Sequence, residues 1–581
     1  MRSPNIEGPQ LHIQATAAAV SNTSCLLTRD TLPPTLTLRS WLGETAAILV
    51  IFAALGAGPP PAVNEAHYLT KARHFWDHSW CAGDAFLESA DAHGVFFATF
   101  GWVTHVVSLP AAAWIGRVLA WGSLAIALQR LSWCIVPRRW YAVISSGLLL
   151  AGVQRCHLAG EWLVGGIEAK CFAFTLVFLA LERFQRNRWN IGWLCLGLAT
   201  AFHVLVGGWS LLAGSMAWLG CGRYRPSLRS QLPGLLGAAG LASVGLVPAL
   251  LLNAGVTPQI ARDANAIYVY ERLSHHLIFH RFIYDHWIPL FPLARHLFVV
   301  AVWAIACSLT PCVLGPARLG QRPLRGFVGG AIFLAICGAI LDQSLLFASD
   351  LAAAVLRYYW FRLSDIMVPL GASLATVGAV AAWYERRPAL SRGIIGILTI
   401  CVILNTVANL SSRIRDWQRG TTLESLGGAE FGLAEHPLLY EDWRRACDWI
   451  AANTEPHAKF LTPRWQQTFK WYAQRGEVVS WKDVPQDARS LVEWWERLGE
   501  ACPPIVSAGG IAALTDDRIL ELATKYHFQY LVVDRWLGER PLPFRRVFPA
   551  ENADGFNARL ANYEVYALPA ADDPPGEESN R

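Results

Sequence analysis

The sequence predicts an α-helical polytopic membrane protein with about 11 transmembrane helices, followed by a C-terminal extracytoplasmic α/β domain. Of the 581 residues, 53% are hydrophobic and only 16% are charged, and the mean hydropathy is +0.30. Soluble proteins carry about 25% charged residues. The second observation is a succession of apolar segments that stops near residue 410, after which short strand-like and helical segments alternate.

Residues 1–39 are polar and unpatterned, and we interpret them as a disordered N-terminal tail. The transmembrane region is predicted over residues 40–410. Its first apolar segment lies too far from Met1 for a signal peptide, which favours an uncleaved anchor. Several segments are shorter than the roughly 20 residues of an upright span, which predicts tilted or partly re-entrant helices. The predicted spans lie near 41–58, 112–136, 140–155, 168–183, 190–204, 206–221, 232–252, 293–313, 326–347, 363–384 and 392–410.

Basic residues in alternate short loops predict the orientation. The rule that positive loops remain in the cytoplasm puts the N-terminus inside and the C-terminus outside, in a cytoplasmic (inner) membrane. For this alternation to hold, the segment 94–110 must lie at the interface and not cross. The basic loops contain Arg138 and Arg139; Arg183, Arg186 and Arg188; Arg223, Arg225 and Arg229; Arg318, Arg322 and Arg325; Arg386, Arg387 and Arg392.

The tail is predicted as a linker at 411–435, an outer α/β domain at 436–570 and a disordered end at 571–581. Strand-like runs such as KFLTP, EVVSW, QYLVVD and YEVYAL alternate with helical stretches, which is typical of a largely parallel sheet. The tail contains no Gly-rich phosphate loop and no Ser/His/Asp spacing. We therefore expect a lid or recognition domain and not a catalytic one.

The first outer loop, residues 59–111, concentrates titratable side chains directly after the first span. Glu65 is followed by His67, and Asp91 by His93. Carboxylates at a membrane face can act as a general base, bind a divalent cation, or only be solvated. A single acid in a loop is usually solvated, so the argument rests on the whole group.

This loop resembles the GT-C superfamily of membrane glycosyltransferases, such as the protein O-mannosyltransferases and the lipid A aminoarabinose transferases. Those proteins open the loop with Asp-Glu and an aromatic residue, where this chain has Asn64-Glu65-Ala66-His67-Tyr68. Their second acidic motif corresponds to Asp91-Ala92-His93 here. The amphipathic helix and the Ala-Arg-Leu motif that follow correspond to 94–110 and to Ile115-Gly116-Arg117-Val118.

The resemblance covers about 80 residues and has two departures. Asn64 replaces the family's first Asp, and the Pro-Pro after the second acidic motif is missing. The catalytic residues that the resemblance implies are therefore Glu65, Asp91 and His93, with Glu65 or Asp91 as the base. The chain is also similar to uncharacterised bacterial multi-pass membrane families, in which no activity is implied.

Further charged residues lie in the other predicted outer loops. Glu168 and Lys170 stand at the entry to an apolar helix, where a charge is costly unless it is paired or faces a cavity. Snorkelling to the headgroups is the alternative reading for both. Arginine forks suit phosphate oxygens. The predicted substrate-binding residues are His67, Glu168, Lys170, Arg272, His275, His276 and Arg362.

The resemblance implies an inverting GT-C-type glycosyltransferase of the cell envelope, which transfers a sugar from a polyprenyl-phosphate-linked donor to an extracytoplasmic acceptor. Its partners would be membrane lipid and this donor, and the small net charge of +5 argues against nucleic acid. No cofactor is certain, although the converging acids could bind a divalent cation. The alternatives are a non-catalytic GT-C-like scaffold and a lipid-binding or transport protein. Transporters, however, concentrate coupling charges at mid-membrane.

The orientation gives a direct test. A reporter fused after Arg225 or Arg387 should read as cytoplasmic, and one fused at the C-terminus should read as external, because the basic loops alternate. Paired phosphatase and fluorescent-protein fusions at each site measure this. A cytoplasmic C-terminus would show that 94–110 crosses the membrane or that another span is miscounted.

Overall fold

The structure is a computed structural model and describes residues 37–62, 64–284, 291–310, 321–422, 437–503, 509–549 and 562–569. Almost all of the predicted N-terminal tail, most of the predicted linker and the tail at 571–581 lie outside the described residues. Within the described residues, long apolar helices are followed by a small mixed sheet with helices, which confirms the predicted fold class.

The first long helix leads into a loop of short helices. Thr37 caps it, since its hydroxyl accepts a hydrogen bond from the Ser40 N–H. The segment 94–110 forms helices of six and four residues before the next long helix begins, too short to cross a hydrocarbon core of about 30 Å. In chain order the elements are α1 (Leu38–Gly56), α2 (Glu65–Trp76), α3 (Ala85–Glu88), α4 (Gly94–Thr99) and α5 (Val103–Val106).

The remaining long helices coincide with the predicted spans. Seven described helices are long and apolar enough to cross a membrane. Four more helices, α7 to α10, have 14 to 17 residues each. The elements are α6 (Leu109–Ile135), α7 (Tyr141–Cys156), α8 (Ala169–Gln185), α9 (Trp189–Phe202), α10 (Val204–Gly220), α11 (Leu228–Leu251), α12 (Pro258–Ala266), α13 (Ser274–Leu277), α14 (Arg281–Tyr284), α15 (Phe291–Leu309), α16 (Arg322–Ser344), α17 (Ser349–Leu356), α18 (Arg362–Trp383) and α19 (Pro388–Arg419).

The linker was predicted to begin at residue 411, which is too early in the chain. Helix α19 continues through residue 419, beyond the predicted end of the last span at 410. Ion pairs of Asp416 with Arg413 and Arg419 accompany this last part, so the helix persists after its apolar stretch ends. Residues 411–419 are therefore helical and do not belong to a linker.

Helices α9 and α10 form a tight hairpin with only His203 between them. The ring Nδ1 of His203 accepts a hydrogen bond from the Val206 N–H at 3.3 Å and so caps α10. Small residues allow the close packing around this hairpin: a Cβ at Gly197 would lie 2.6 Å from the Ala238 Cα, and one at Gly245 would lie 2.6 Å from the Ala201 oxygen.

The C-terminal domain contains a five-stranded sheet in the order β2-β1-β3-β5-β4. The pairs of β1 with β2 and β3 are parallel, whereas β5 pairs antiparallel with β3 and β4. The expectation of a largely parallel sheet is therefore wrong for half of the pairs. The elements are α20 (Pro437–Asn453), β1 (Lys459–Leu461), α21 (Phe469–Ala473), β2 (Gly476–Glu477), α22 (Ala488–Ala501), α23 (Asp516–Tyr526), β3 (Tyr530–Asp534), β4 (Arg545–Phe548) and β5 (Tyr563–Ala567).

The physical reason is the connection that follows β3. The described chain between Asp534 and β4 forms no helix, and β4 does not pair with β3. Strand β5 lies between them and runs antiparallel to both, because antiparallel neighbours do not need the helical crossover that parallel neighbours usually have. Strand β4 is absent from the predicted strands because its sequence RRVF has only two apolar residues.

The domain packs directly on one end of the membrane region, beside the first outer loop. Helix α21 contacts α2, and α22 contacts both α3 and α12. A single apolar core continues across this contact, because Leu69 of α2 and Phe469 of α21 belong to one cluster of buried side chains. The domain and the first outer loop therefore form one continuous packed unit.

Two adjacent glycines test the α9–α10 packing. A Cβ at Gly207 would overlap with the Thr200 backbone, whereas a Cβ at Gly208 has no heavy atom within 4 Å. Gly207→Ala should therefore destabilise the protein by about 1–3 kcal/mol. Gly208→Ala should leave stability unchanged or raise it slightly, because alanine favours helix. Thermal unfolding of the two purified variants measures the difference, and equal midpoints would contradict the packing.

Candidate functional site

A cavity of about 1070 Å³ lies where the C-terminal domain covers the ends of α10 and α11. One wall is apolar and comes from these two helices, with Leu205, Leu212, Leu246 and Leu250. The C-terminal domain also lines the cavity, with Trp481 among other residues. Polar residues of the first outer loop and of the segment 268–276 complete the lining.

Four charged side chains form a compensated network at the cavity, and three of them, Glu168, Lys170 and Arg362, line its wall. Lys170 contacts Glu161 and lies 2.8 Å from Glu168, and Arg362 lies 2.6 Å from Glu161. The amide of Asn64 donates to Glu168 at 3.1 Å. All four charged residues are largely buried, and two carboxylates balance two cations. This network supplies fixed polarity but no excess positive charge.

Asp365 of α18 holds the loop that carries this network. Its carboxylate accepts hydrogen bonds from the backbone N–H groups of Leu158, Ala159 and Glu161, at 2.7, 2.9 and 3.3 Å. The loop therefore has its polar backbone satisfied at the end of a membrane helix. This bonding places Glu161 between Lys170 and Arg362.

Two further arginines line the cavity from other elements. Arg272 donates from Nε to the Trp481 carbonyl at 3.2 Å, and its guanidinium lies 4.8 Å from the centre of the Trp481 ring. Arg357, at the end of α17, donates to the side chain of Asn265 and faces the Tyr268 ring at 5.7 Å. Within the described part of the chain, no carboxylate pairs with Arg357.

Asp91 and His93 form a dyad at the cavity wall. The Asp91 Oδ1 lies 2.7 Å from the His93 Nδ1 and also accepts the His93 backbone N–H at 2.8 Å, which is an Asx turn. The Asp91 Oδ2 lies 3.5 Å from the ammonium of Lys71. Burial alone would raise the pKa of Asp91, but His93 and Lys71 outweigh it and hold this pKa below its ordinary value.

The dyad defines what His93 can do. A charged acceptor at 2.7 Å favours the proton on Nδ1, which leaves the Nε2 lone pair for the other side of the ring. The Nε2 lies 3.5 Å from the Tyr68 hydroxyl, and the ring centre is 5.2 Å from that of His203. His93, Tyr68 and His203 all line the cavity. The arrangement can accept a proton from a bound hydroxyl group.

Glu65 occupies a different environment from the one expected of a base. Its Oε1 and Oε2 lie 2.7 and 2.6 Å from the guanidinium of Arg117, in a bidentate pair. They also accept the backbone N–H groups of Ala62 and Ile167, at 2.8 and 3.0 Å. Both Glu65 and Arg117 are fully buried, and neither lines the cavity. We therefore correct the role of Glu65 from base to structural anchor.

A second buried network joins the first outer loop to the C-terminal domain. Lys470 lies 3.4, 2.6 and 2.5 Å from Asp84, Glu477 and Asp483. Burial lowers the pKa of a lysine, but these carboxylates raise the pKa of Lys470 well above its ordinary value. His67 lies 3.0 Å from Asp483 through its Nδ1. Burial nevertheless lowers the pKa of His67, which disfavours the charged form of its ring.

The ring centres of His275 and His276 lie 3.9 Å apart in the cavity wall, with the ring planes tilted by 46°. Burial, with further contributions from His275 and Arg362, holds the pKa of His276 well below its ordinary value, which disfavours the charged form of this ring. Within the described residues, no group of three or more His, Cys, Asp or Glu side chains is arranged to hold a metal ion.

The structure brings eight of the ten predicted site residues to the cavity wall and leaves Glu65 and Asp91 behind it. Sequence reasoning missed most of the wall formed by the C-terminal domain, since no motif identifies it. Arg357, which the sequence places in an Arg-Tyr pair at the end of a predicted late span, is not among the predicted site residues. The eight are His67, His93, Glu168, Lys170, Arg272, His275, His276 and Arg362; the missed wall residues include Trp465, Gln467, Trp481, Lys482 and Gln486.

Comparison with known proteins gives limited similarity. Residues 441–501 match the family described as Domain of unknown function (DUF6798). No curated protein matches the chain. The chain is similar to an oligosaccharyltransferase of Archaeoglobus fulgidus tethered to an acceptor peptide, with 10% identity and a TM-score of 0.44 over 86% of this chain and 69% of that one. A structure of that enzyme in complex with Zn and sulfate is 12% identical, with a TM-score of 0.37 over 85% of this chain and 67% of that one. Similarity at this level assigns no activity.

The Glu65–Arg117 pair gives a stability prediction. Glu65→Gln should destabilise the protein by about 3–5 kcal/mol, because it leaves the Arg117 charge buried without a counter-ion. The double variant Glu65→Gln/Arg117→Gln should be more stable than the single variant, because it removes the uncompensated charge. Thermal unfolding in detergent compares them. A folded, inactive Glu65→Gln with the stability of the natural protein would return Glu65 to the role of base.

Proposed function

We propose that the protein is a GT-C-type glycosyltransferase that transfers a sugar from a polyprenyl-phosphate-linked donor to an acceptor on the outer face of the membrane. The observation that carries this proposal is one cavity lined both by apolar side chains of membrane helices and by an arginine without a carboxylate partner among the described residues. A lipid with a phosphate head group combines the same two properties.

The apolar wall suits the lipid part of the donor. Leu212, Leu246 and Leu250 line the cavity and expose 51%, 38% and 67% of their surface. Apolar side chains exposed on helices α10 and α11 contact lipid tails in a membrane. A polyprenyl chain can therefore enter the cavity from the bilayer along this apolar wall, without crossing a polar barrier.

The arginines suit the phosphate. Lys170 and Arg362 are already balanced by Glu161 and Glu168, so their net attraction for an anion is small. The described partners of Arg357 are neutral, which leaves its full charge to stabilise a bound phosphate. We assign Arg357 the main contact with the leaving phosphate and keep Lys170, Arg272 and Arg362 as surrounding positive groups.

His93 is the proposed general base. The Nε2 accepts the proton of the acceptor hydroxyl as its oxygen attacks the anomeric carbon, and the bond from that carbon to the phosphate oxygen breaks. The electron pair leaves on polyprenyl phosphate, where the arginine stabilises the charge. Asp91 stabilises the imidazolium that forms, as its contact to Nδ1 implies. Attack opposite the leaving group inverts the anomeric centre.

Binding of the lipid product tests the proposal without knowledge of the sugar. The full-length protein in nanodiscs should bind undecaprenyl phosphate and not undecaprenol, as measured by native mass spectrometry. Arg357→Ala should weaken this binding about 10- to 100-fold, because a hydrogen bond to a charged group contributes about 1.5–3 kcal/mol. Arg155→Ala is the control, since Arg155 is exposed and pairs with Asn405 outside the cavity.

Turnover distinguishes an enzyme from a binding scaffold. Supplied with an envelope extract that contains both lipid-linked sugars and their acceptors, the protein should release undecaprenyl phosphate, and His93→Gln should abolish this release while binding persists. Equal binding of undecaprenol and its phosphate would refute a phosphate site. Binding without release in the natural protein would favour the non-catalytic scaffold.

A further inference from the structure

The C-terminal domain contacts the Asp91–His93 dyad through one side chain. Gln486 accepts the Ala92 backbone N–H on its Oε1 at 3.1 Å. Its Nε2 lies 3.0 Å from the Nδ1 of His93. The amide therefore touches both the backbone and the ring of the motif, from a position almost 400 residues later in the chain.

The orientation of the amide is fixed by the backbone contact. Only an oxygen can accept the Ala92 N–H, so the Oε1 must face Ala92 and the Nε2 must face the ring. A single Nδ1 cannot donate to Asp91 and accept from Gln486 at once, and the shorter, charged contact to Asp91 determines the tautomer. With the Nδ1 proton directed at Asp91, the Gln486 Nε2 only contacts the ring and makes no hydrogen bond to it. Gln486 therefore acts on the motif through its hydrogen bond from the Ala92 N–H.

Gln486 is itself rigidly placed. Three residues before it, Asp483 is held by Lys470 and His67 at 2.5 and 3.0 Å. One residue after it, Asp487 caps α22 by accepting the Ser490 N–H at 2.9 Å. The backbone N–H of Ala488 donates to Asn253 at 3.2 Å. The short segment that carries Gln486 is therefore fixed on both sides, to the outer loop and to the end of α11.

We propose that Gln486 is a positioning residue for His93, so that the C-terminal domain completes the proposed active site from within the same chain. The proposal rests on the proposed function, in which His93 acts as the base. It gives a role to the segment 441–501, for which the matching family has no assigned function. It also replaces the expectation of a domain that only covers or recognises the substrate.

Hydrogen exchange provides a test that does not require activity. In the full-length protein in nanodiscs, Gln486→Met should increase exchange of the Ala92 amide several-fold, because the variant has no acceptor. Gln486→Glu keeps an oxygen in place and should retain the protection. Peptides from α2 should exchange as in the natural protein in both variants, which shows that the domain remains docked.

A matched control lies elsewhere in the same domain. Gln529 also accepts a backbone N–H, that of Lys459 at 2.9 Å, and it is remote from the cavity. Gln529→Met should leave Ala92 exchange unchanged. Unchanged exchange at Ala92 in Gln486→Met, or an equal increase in Gln529→Met, would overturn the proposal.

Kinetics then separate positioning from general stability. Gln486→Met should lower kcat for release of undecaprenyl phosphate about 10- to 100-fold with little change in KM, because a misplaced base loses rate and not substrate affinity. A rise in KM with unchanged kcat would overturn the positioning role. Absence of turnover in the natural protein would count against the proposed function, while the exchange result would still decide whether Gln486 orders the motif.

Discussion

The buried pair of Glu65 and Arg117 is the contact on which the arrangement of the outer loop depends. Two ions removed from water are tolerated only with good geometry and additional hydrogen bonds. Here the Glu65 carboxylate also receives two backbone N–H groups, and Arg117 also donates to the Gly58 carbonyl at 2.6 Å. The pair therefore joins α2, α6 and the loop before α8 at one point. The network of Lys170 takes Glu161 from the loop before α8, whereas the dyad lies between α3 and α4 of the same outer loop as Glu65.

The same constraint explains why most charges near the membrane surface are compensated. Glu161 and Glu168 balance Lys170 and Arg362. Lys470 is surrounded by three carboxylates, and burial raises the pKa of one of them, Glu477, to about 7, which favours its neutral form. Burial makes an isolated charge costly, so each network is closed by ion pairs and hydrogen bonds. Arg357 departs from this pattern among the described residues, because its contacts are to a neutral amide and a ring. A charge kept at a cost in a cavity is a reasonable indicator of a ligand.

Much of the architecture could be predicted from the sequence, because hydropathy and length strongly constrain membrane helices. The eleven predicted spans correspond to long or intermediate helices, and 94–110 forms only short ones. The sheet was harder, since the return of β5 beside β3 depends on contacts distant in sequence. Strand β2 has only two residues, although the run EVVSW predicts a longer strand. Here tertiary contacts outweigh local propensity.

The functional site could be predicted from the sequence only in part, again because tertiary contacts decide the rest. Residue type and position were enough to place eight of ten predicted residues at one cavity. The reason is that a charged group at the end of an apolar helix is stable only when it is paired or faces a cavity. They were not enough to separate Glu65 from the dyad, since both carry an acid beside a histidine in the same loop. The distinguishing information is Arg117, a cation inside an apolar segment 52 residues later, which requires a buried carboxylate. Once Glu65 is assigned to Arg117, Asp91 and His93 remain as the pair with a side chain open to the cavity, and Gln486 becomes relevant as the residue that contacts them.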